Sequence, residues 1–314
     1  MNASESLQFD IRAANARLDR LLAAELGISR GEAVRLLDRG QVRVAGRRVS
    51  RSDKGLRPAP GERVAVEAFV REAEQRPAPN PDLELEELAT GPGWLIVRKP
   101  AGTPVHPLGP GERDTLLNAV IARHPEIEGV GEGGLRCGLV HRLDVETSGA
   151  VAFALDEARY ERLRGAFRGH AMRKVYLAIV AGRVAEAGQK RMHLVIARHS
   201  PAKVRVVEPG EVERTPQTRL CDLAWRCLER FTKASLVEIE LGTGFLHQIR
   251  VMFAALGHPL LGDPLYAGEG SSAALAAPRP MLHAAALEFE EIRGRCDPPA
   301  DFQQVLARLR SGSG

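Results

Sequence analysis

A short polar segment holds side chains that could act together on a substrate. Residues 138–149 pass from an apolar approach through His141, Arg142 and Asp144 to Thr147-Ser148-Gly149, after which a second apolar run begins. This pattern predicts a strand, a loop and a strand, with the loop displaying the Asp144 carboxylate beside a cation. Such a carboxylate can serve a bound ligand, but it can also cap its own loop by accepting from backbone amides. The spacing alone leaves both functions open.

Two later segments add polar side chains of the kind that active sites use. Tyr176 lies in the alternating run 173–180, which predicts a strand, and a tyrosine in a strand ordinarily packs against its neighbours. His247 and Arg250 are three residues apart at the start of a helix predicted over 247–256, so they share one face of its first turn. The sequence therefore offers a carboxylate, a phenol, an imidazole and a guanidinium on separate elements.

In their order along the chain, these segments resemble the motifs of the RluA-type pseudouridine synthases, including the RluC- and RluD-like members. The string His141-Arg142-Leu143-Asp144-x-x-Thr147-Ser148-Gly149 is similar to the signature that contains the catalytic aspartate of that family. Lys174-x-Tyr176-x-Ala178 is similar to the second family motif. The third motif corresponds to residues 242–250, although Phe245, Leu246 and the following Met252 stand where Arg, Thr and His are usual. Matching segments extend over roughly residues 83–292.

The resemblance implies that the chain converts uridine in RNA to pseudouridine. Asp144 is then expected to attack C1′ as a nucleophile or to remove a proton from C2′ as a base. Arg250 is expected to pair with Asp144 and keep it ionised. Tyr176 is expected to lie against the target base and is the candidate for removing the C5 proton. Arg142 is expected to fill the space that the flipped uridine leaves.

Four more side chains of the matching motifs are expected to contact RNA, namely His141, Lys174, His247 and Gln248. For His141, a structural hydrogen bond of the loop is the favoured alternative. The reaction calls for no metal, redox cofactor or nucleotide, and the sequence has neither a P-loop nor an H-x-x-x-H metal pair. We therefore expect no cofactor.

The N-terminal section has its own pattern of elements. These are a helix over 17–26 ending at Gly27, a second helix with the capping box Ser29-x-x-Glu32, a strand at 42–44, a turn at 45–46 and a strand at 64–66. This order resembles the S4-like RNA-binding domain, a module that often precedes synthases of this type.

Positive charge is concentrated in the same section, although the net charge of the chain is only +4. Between residues 29 and 57, nine basic residues face three acidic ones. The side chains expected to bind RNA are Arg30, Arg35, Arg39 and Arg43. Arg35 and Arg39 are one helical turn apart, and such a stripe can neutralise several phosphates. A solvated helix face is the alternative, and the S4 resemblance favours RNA.

The fold expected from these elements is α+β with two domains. A small S4-like domain over residues 1–70 is followed by a flexible Pro-rich linker over 71–82 and a pseudouridine synthase domain over 83–310. The larger domain is expected to contain a large mixed, mostly antiparallel sheet flanked by helices. The Asp144 loop, the Tyr176 strand and the Arg250 helix are expected to meet at one cleft.

The expected partner is RNA, with large-subunit ribosomal RNA as the substrate and tRNA as the alternative. No apolar run has membrane-spanning length and the four cysteines are sparse, so we expect a cytoplasmic protein that does not bind a membrane. We expect no nucleotide cofactor, and a monomer is the default. A ribosome-associated protein that only binds RNA is the second hypothesis. It would have no physical reason to keep Asp144, Tyr176 and Arg250 together. A zinc-dependent nucleobase deaminase would need a P-C-x-x-C pair, which the sequence lacks.

Overall fold

The computed structural model describes residues 6–12, 16–199, 201–268 and 276–312. The chain divides into two compact units, Met1–Arg76 and Pro77–Gly314, and each has a hydrophobic core of its own. Within the described ranges, no helix has the length and apolar composition needed to cross a membrane. The division between the units lies inside the segment that the sequence predicts as a linker.

Both ends of this predicted linker are hydrogen-bonded. At its start, the Glu72 amide donates to the Glu32 carboxylate of the first unit at 2.6 Å. Near its end, the Asn118 side chain of the second unit donates to the Ala78 carbonyl at 2.6 Å. Residues at each end of the segment 71–82 thus belong to the unit that they border, and the flexibility of the segment stays a prediction.

The first unit combines two helices with a small sheet. Its strands are β1 (Leu7–Asp10), β2 (Val42–Val44), β3 (Arg47–Val49) and β4 (Arg63–Val66), and its helices are α1 (Leu18–Leu26) and α2 (Arg30–Asp38). The sheet is antiparallel with the strand order β1-β4-β2-β3. The predicted α1, α2, β2 and β4 are confirmed, whereas the sequence pattern does not predict β1 or β3.

Local chemistry sets the boundary between α1 and α2. Gly27 ends α1 with a left-handed φ of 63°, as predicted. The Ser29 hydroxyl accepts from the Glu32 amide at 3.1 Å and caps α2. The Glu32 carboxylate does not return to Ser29, because it accepts from the Glu72 amide instead. Only half of the predicted capping box is therefore formed.

The second unit is built on one large sheet. Its strands are β5 (Glu87–Gly91), β6 (Trp94–Lys99), β7 (Ser148–Ala154), β8 (Arg173–Ala181), β9 (Ala187–His199), β10 (Ala202–Val207), β11 (Arg219–Arg230), β12 (Ala234–Leu241), β13 (Leu282–Phe289) and β14 (Ile292–Arg295). The order across the sheet is β10-β9-β11-β12-β8-β13-β7-β6-β5, and β14 pairs with the second half of β13. The strand pairs are antiparallel except for β7 with β13. The predicted mixed, mostly antiparallel sheet is confirmed.

Helices cover both faces of this sheet. They are α3 (Leu116–Arg123), α4 (Glu157–Arg168), α5 (Gln248–Ala255) and α6 (Ala300–Arg310). Alternate residues of β7 contact different cores: Phe153 lies in the core of α3, and Ala152 lies in the core of α4. In the same way, Tyr176 of β8 packs in the core of α5, and Ile179 packs in the core of α6.

Strand β13 lies between β7 and β8 and joins the two halves of the sheet. Its Ala284 pairs with Gly149 on one side and with Tyr176 on the other. A Cβ at Gly149 would lie 2.2 Å from the Ala284 carbonyl oxygen, and φ there is +127°. Only glycine permits this close approach. The row Gly149, Ala284, Tyr176 places the end of the Asp144 loop two strands away from Tyr176.

The strand predicted before the Asp144 loop is wrong. Leu139 forms only an isolated bridge with Phe153, and residues 139–140 belong to no strand. Gly138 explains the difference, because its left-handed φ of 64° turns the chain away from strand geometry. A Cβ at this position would lie 2.3 Å from the Ala154 carbonyl oxygen.

Strand β5 begins only at Glu87. Before it, the Leu85 carbonyl accepts from the Arg123 guanidinium at 3.2 Å. On strand β12, Ile239 is fully buried.

Candidate active site

The backbone of the Asp144 loop is held by hydrogen bonds. The Thr147 amide donates to the Asp144 carbonyl at 3.0 Å and closes a turn. The Val145 carbonyl accepts from the Gly102 amide at 2.9 Å and from the Lys99 ammonium at 2.7 Å. Contacts from distant parts of the chain thus fix the backbone immediately after Asp144.

Two buried cations, Lys99 and Arg279, supply much of this support, and we name them the back group. The Lys99 ammonium is fully buried and donates to the carbonyls of Pro100, Thr103 and Val145 at 2.7–2.8 Å. Burial lowers the pKa of Lys99 to about 7. Because all three ammonium hydrogens have acceptors, Lys99 joins the loop that follows β6 to the Asp144 loop.

Arg279 supports the same loop from its other end. It is 6% exposed and donates to the Glu146 carbonyl at 3.0 Å and to the Ser148 hydroxyl at 3.3 Å. It also forms two bonds with the Asp301 carboxylate of α6, at 2.6 and 3.1 Å. The C-terminal helix is thereby connected to the loop that carries Asp144.

A buried histidine completes this support. His283 Nε2 lies 2.8 Å from the Cys296 carbonyl, so Nε2 carries the proton and donates. His283 Nδ1 therefore accepts from the Ser148 hydroxyl, at 2.9 Å. Burial lowers the pKa of His283 to about 4, which keeps the ring neutral at pH 7.

Arg250 and His247 face the Asp144 carboxylate itself, and we name them the front group. Arg250 Nη1 donates to Asp144 Oδ2 at 3.3 Å, and His247 Nε2 lies 3.9 Å from the same oxygen. Arg250 also donates to the fully buried Asp263 carboxylate at 2.7 and 2.9 Å. Burial opposes its charge, but the bonds to Asp263 and the charge of Asp144 raise the pKa of Arg250.

His247 is the residue before α5 and has a left-handed φ of 52°. Its Nδ1 lies 2.9 Å from the Tyr266 hydroxyl, which accepts from the Val204 amide at 2.9 Å. The Tyr266 ring lies 5.3 Å from the Arg250 guanidinium carbon, in cation–π geometry. Burial lowers the pKa of His247; the Asp144 charge opposes this shift and the Arg250 charge adds to it.

Tyr176 lies on β8, in the row Gly149, Ala284, Tyr176 that crosses the sheet from the end of the Asp144 loop. It is 7% exposed, and its hydroxyl makes no hydrogen bond to another described residue. Burial raises the pKa of Tyr176, and the charge of Asp144 adds to the rise. The phenol is therefore neutral near pH 7.

His141 and Arg142, which precede Asp144 in the loop, differ in their burial and in their contacts. Arg142 is exposed, and its guanidinium makes no hydrogen bond or ion pair within the described part of the chain. His141 is half-buried, accepts from the Ala152 amide at 2.9 Å and stacks on Phe167 with ring centroids 4.4 Å apart. Burial lowers the pKa of His141 to about 3. These contacts correspond to the structural alternative for His141, and its contact with RNA stays a prediction.

The polar groups of Lys174 and Gln248 are hydrogen-bonded within the protein rather than free. Lys174 is 5% exposed and donates to the carbonyls of Gly242 and Thr243 at 3.3 Å. Gln248 is 2% exposed, accepts from the Thr243 hydroxyl at 2.8 Å and donates to the Asp222 carbonyl at 2.9 Å. Both side chains organise the loop that precedes α5, so their burial disfavours the predicted contact with RNA.

The first unit carries the other side chains predicted to bind RNA. These are Arg30, Arg35, Arg39 and Arg43, and all four are exposed. Arg30 forms an ion pair with Asp19 at 2.7 Å, and Arg35 forms one with Glu72. Both carboxylates lie outside the segment 29–57, so the charge count over that segment omits them. The contact of the four arginines with RNA stays a prediction.

Four residues near Asp144 have no role in the sequence-based prediction: Lys99, Asp263, Tyr266 and Arg279. Lys99 and Asp263 lie in segments rich in Pro and Gly that resemble the family but suggest no chemistry by themselves. Lysine and aspartate are almost never fully buried unless they are paired. The sequence does not show their partners, because Asp263 pairs with a residue 13 positions away and Arg279 with loop atoms 133 positions away.

The match to known proteins decides what this site belongs to. Residues 93–255 match the family model described as RNA pseudouridylate synthase, and residues 16–64 match that of the S4 domain. An uncharacterised RNA pseudouridine synthase from Synechocystis sp. is 35% identical over 306 residues, which cover 94% of this chain and 89% of that protein. The chain belongs to the RNA pseudouridine synthase family.

Further relatives agree with this assignment. The ribosomal large subunit pseudouridine synthase D of Pseudomonas aeruginosa is 32% identical over 73% of each chain. The solved structure of human RNA Pseudouridylate Synthase Domain Containing 4 has the same fold, with a TM-score of 0.58 and 23% identity over 72% of this chain and 93% of that one. The chain is thus an RNA pseudouridine synthase with an S4 domain, and the predicted family and enzyme class are confirmed.

Proposed function

We propose that this RNA pseudouridine synthase modifies uridines of large-subunit ribosomal RNA and that Asp144 is its catalytic carboxylate. One observation carries the proposal: the Asp144 carboxylate contacts Arg250, which the buried Asp263 holds in place. The carboxylate is 24% exposed, so it can still meet a substrate. The row of residues from Gly149 to Tyr176 adds an aromatic ring at the same site.

The reaction breaks the N1–C1′ bond of uridine, rotates the detached uracil, joins C5 to C1′ and removes the C5 proton. An ionised Asp144 can begin it as a nucleophile at C1′ or as a base at C2′. In both routes the electrons of the broken bond leave with uracil. The positive charge of Arg250 favours the ionised form of Asp144 that both routes need.

The uridine has to leave its stack to reach Asp144, which costs a few kcal/mol. Arg142 supports this step, because its guanidinium is exposed and free of partners among the described residues. We propose that it occupies the space left in the RNA. We also propose that Tyr176 stacks on the target base. Its raised pKa disfavours the phenolate that removal of the C5 proton would need, so stacking is the role that we retain.

The choice of ribosomal RNA rests on the relatives. Those from Pseudomonas aeruginosa, Zymomonas mobilis and Xanthomonas campestris are named ribosomal large subunit pseudouridine synthase D and are 32–34% identical to this chain. With this substrate, we propose that the enzyme acts in the cytoplasm.

The first unit supports RNA binding through a basic cleft of about 360 Å³. Its cationic lining residues are Arg30, Arg35, Arg51 and Lys54. An exposed ion pair such as Arg35–Glu72 contributes only about 0–1 kcal/mol, so an RNA phosphate can replace the carboxylate at small cost. We propose that this cleft holds the RNA backbone.

Pseudouridine mapping of cellular RNA, with a chemical label that stops reverse transcription, tests the proposal. Cells would carry the wild type, Asp144→Asn or Glu146→Gln as their sole copy. Glu146 is the matched control, because it is an exposed carboxylate two residues away on the same loop. We expect Asp144→Asn to lose one or a few large-subunit sites and Glu146→Gln to keep them.

Other outcomes would change the conclusion in defined ways. Loss of a tRNA site in Asp144→Asn would support the enzymatic activity and the role of Asp144, and would identify tRNA as the substrate. An unchanged map, with Asp144→Asn still bound to RNA, would favour the protein that only binds RNA.

A further inference from the structure

A chain of polar contacts leads from an edge strand of the sheet to the Asp144 carboxylate. The Val204 amide of β10 donates to the Tyr266 hydroxyl oxygen at 2.9 Å. The same hydroxyl lies 2.9 Å from His247 Nδ1. On the other side of the imidazole, His247 Nε2 lies 3.9 Å from Asp144 Oδ2. The chain is therefore amide, phenol, imidazole, carboxylate.

The proton positions follow from the fixed donor at the start of this chain. An amide N–H can only donate, so the Tyr266 oxygen accepts from Val204 and keeps its own proton to give. If that proton goes to His247 Nδ1, the imidazole proton is on Nε2 and faces Asp144. With the opposite tautomer, the Tyr266 proton would have no acceptor among the described residues, and an Nε2 lone pair would face the Asp144 carboxylate.

We propose that His247 is a positioning residue for the reaction: a neutral imidazole whose Nε2–H, set by Tyr266 and the Val204 amide, directs one oxygen of Asp144. This inference rests on the proposed role of Asp144. The distance of 3.9 Å is longer than a hydrogen bond, and such contacts tighten when substrate closes the site.

The consequence is a division of labour between the two carboxylate oxygens. Arg250 and His247 both face Oδ2 of Asp144. Oδ1 makes no hydrogen bond within the described residues, so it is the oxygen left for the substrate. Whether Asp144 attacks C1′ or takes a proton from C2′, Oδ1 forms the new bond and Oδ2 remains the oriented partner.

The charged surroundings of His247 are compatible with a neutral ring. Asp144 and Asp263 favour the imidazolium, whereas Arg250 and burial disfavour it. A protonated ring would also place a hydrogen on Nδ1 against the hydroxyl hydrogen of Tyr266, unless that hydroxyl turned away. The contacts of the ring and its burial thus favour the same protonation state.

The tautomer can be measured without any assay of activity. Long-range ¹H–¹⁵N correlation spectra of the full-length protein with ¹⁵N-labelled histidine distinguish Nε2–H, Nδ1–H and imidazolium rings. The signal of His247 is identified by its loss in His247→Gln. We expect the Nε2–H pattern at pH 7 in the wild type and a mixture of tautomers in Tyr266→Phe. An Nδ1–H or imidazolium pattern in the wild type would overturn the inference.

Two substitutions at the same position then test its function. The amide of Gln reaches the position of Nε2, whereas the amide of Asn reaches only that of Nδ1. We expect His247→Gln to keep roughly tenfold more kcat than His247→Asn, with similar KM, since one hydrogen bond to a charged group differs. Backbone strain alone would favour the opposite order of the two variants, because Asn tolerates the left-handed φ of 52° better than Gln.

The outcomes separate this inference from the proposed function. Equal kcat values for the two variants, or a more active His247→Asn, would contradict the inference about His247. An inactive Asp144→Asn would still support the role of Asp144 as the catalytic carboxylate. Full activity of Asp144→Asn would remove the proposed function, and the tautomer measured for His247 would then describe a structural hydrogen bond.

Discussion

The front group and the back group hold the same loop, but they bind different chemical groups. In the front group, Arg250 binds two carboxylates, those of Asp144 and Asp263. In the back group, Lys99 binds only neutral carbonyls, and Arg279 binds carbonyls, the Ser148 hydroxyl and one partly exposed carboxylate. Cations of similar burial therefore bind different kinds of group within a few residues of the same loop.

This difference predicts unlike consequences when a cation is lost. Without a front cation, a negative charge would remain buried and unpaired, which is among the most destabilising changes in a protein. Without a back cation, the acceptors that lose their donors would be neutral, apart from the partly exposed Asp301 carboxylate. The front group controls the reacting carboxylate, whereas the back group controls the position of its backbone.

The largest effect is expected for Arg250→Met. Asp263 is fully buried and would lose the cation that pairs with it, and only the Leu265 and Tyr266 amides would still donate to its Oδ1. We expect the free energy of unfolding to fall by about 3–5 kcal/mol, together with activity below detection. Urea unfolding and pseudouridine formation on an rRNA fragment measure the two effects.

A double variant checks the cause of that loss. In Arg250→Met with Asp263→Asn, the buried group is neutral, so we expect at least about 1 kcal/mol of stability to return while activity stays absent. If no stability returned, the unpaired charge of Asp263 would not be the reason for the instability, and the contrast between the groups would fail.

A smaller loss is expected for Lys99→Met. Three carbonyls would lose their ammonium donor, and we expect a loss of about 2–3 kcal/mol of unfolding free energy. Residual activity should show a lower kcat at unchanged KM, because the Asp144 backbone loosens. Lys233→Met, at an exposed position, is the control. A stability equal to that of the control would contradict the structural role of Lys99.

His283, which supports the same loop through Ser148, makes the stability of the protein depend on pH. An unfolded histidine takes up a proton near pH 6.5, whereas burial lowers the pKa of His283 to about 4. Between these values the unfolded chain binds more protons, so stability falls as pH drops from 6.5 towards 4. We expect the wild type to lose about 2 kcal/mol more than His283→Gln between pH 7 and pH 5. Parallel stability curves would show that His283 does not contribute.

The smallest effect is expected for Asp301→Asn. This carboxylate holds Arg279 from α6, but its side chain is 37% exposed, so water can replace part of the bond. We expect a loss of about 0.5–1 kcal/mol in unfolding free energy and nearly full activity. Asp297→Asn, which changes an exposed carboxylate before α6, is the control. A large loss of activity would show that the back group acts on catalysis as strongly as the front group.

Local patterns in the sequence predict much of this arrangement. The spacing of His247 and Arg250 places both at the start of α5, and both do face Asp144. Helix caps at Gly27 and Ser29 are likewise short-range signals. The Gly27 cap is confirmed, and the Ser29 half of the predicted capping box is formed. Such features depend on residues within one or two turns, so the sequence contains the information directly.

Long-range partners are where sequence reasoning is incomplete. Lys174 and Gln248 occur in the motifs of the family, yet their polar atoms contact backbone carbonyls and a hydroxyl in the loop before α5 and on the neighbouring strand β11. A polar residue has the same letter whether it faces a ligand or a loop. The sequence likewise does not show that Asp263 pairs with Arg250, because only the fold brings the two side chains together.

The position of β13 has a consequence for the synthesis of the protein. Asp144, Tyr176 and Arg250 are all translated before residue 282, where this strand begins. Until β13 exists, β7 and β8 have no strand between them, so the two halves of the sheet cannot be aligned. The first unit has its own core and is complete much earlier. A nascent chain therefore passes through a stage in which its RNA-binding unit can fold on the ribosome while its active site is still unassembled.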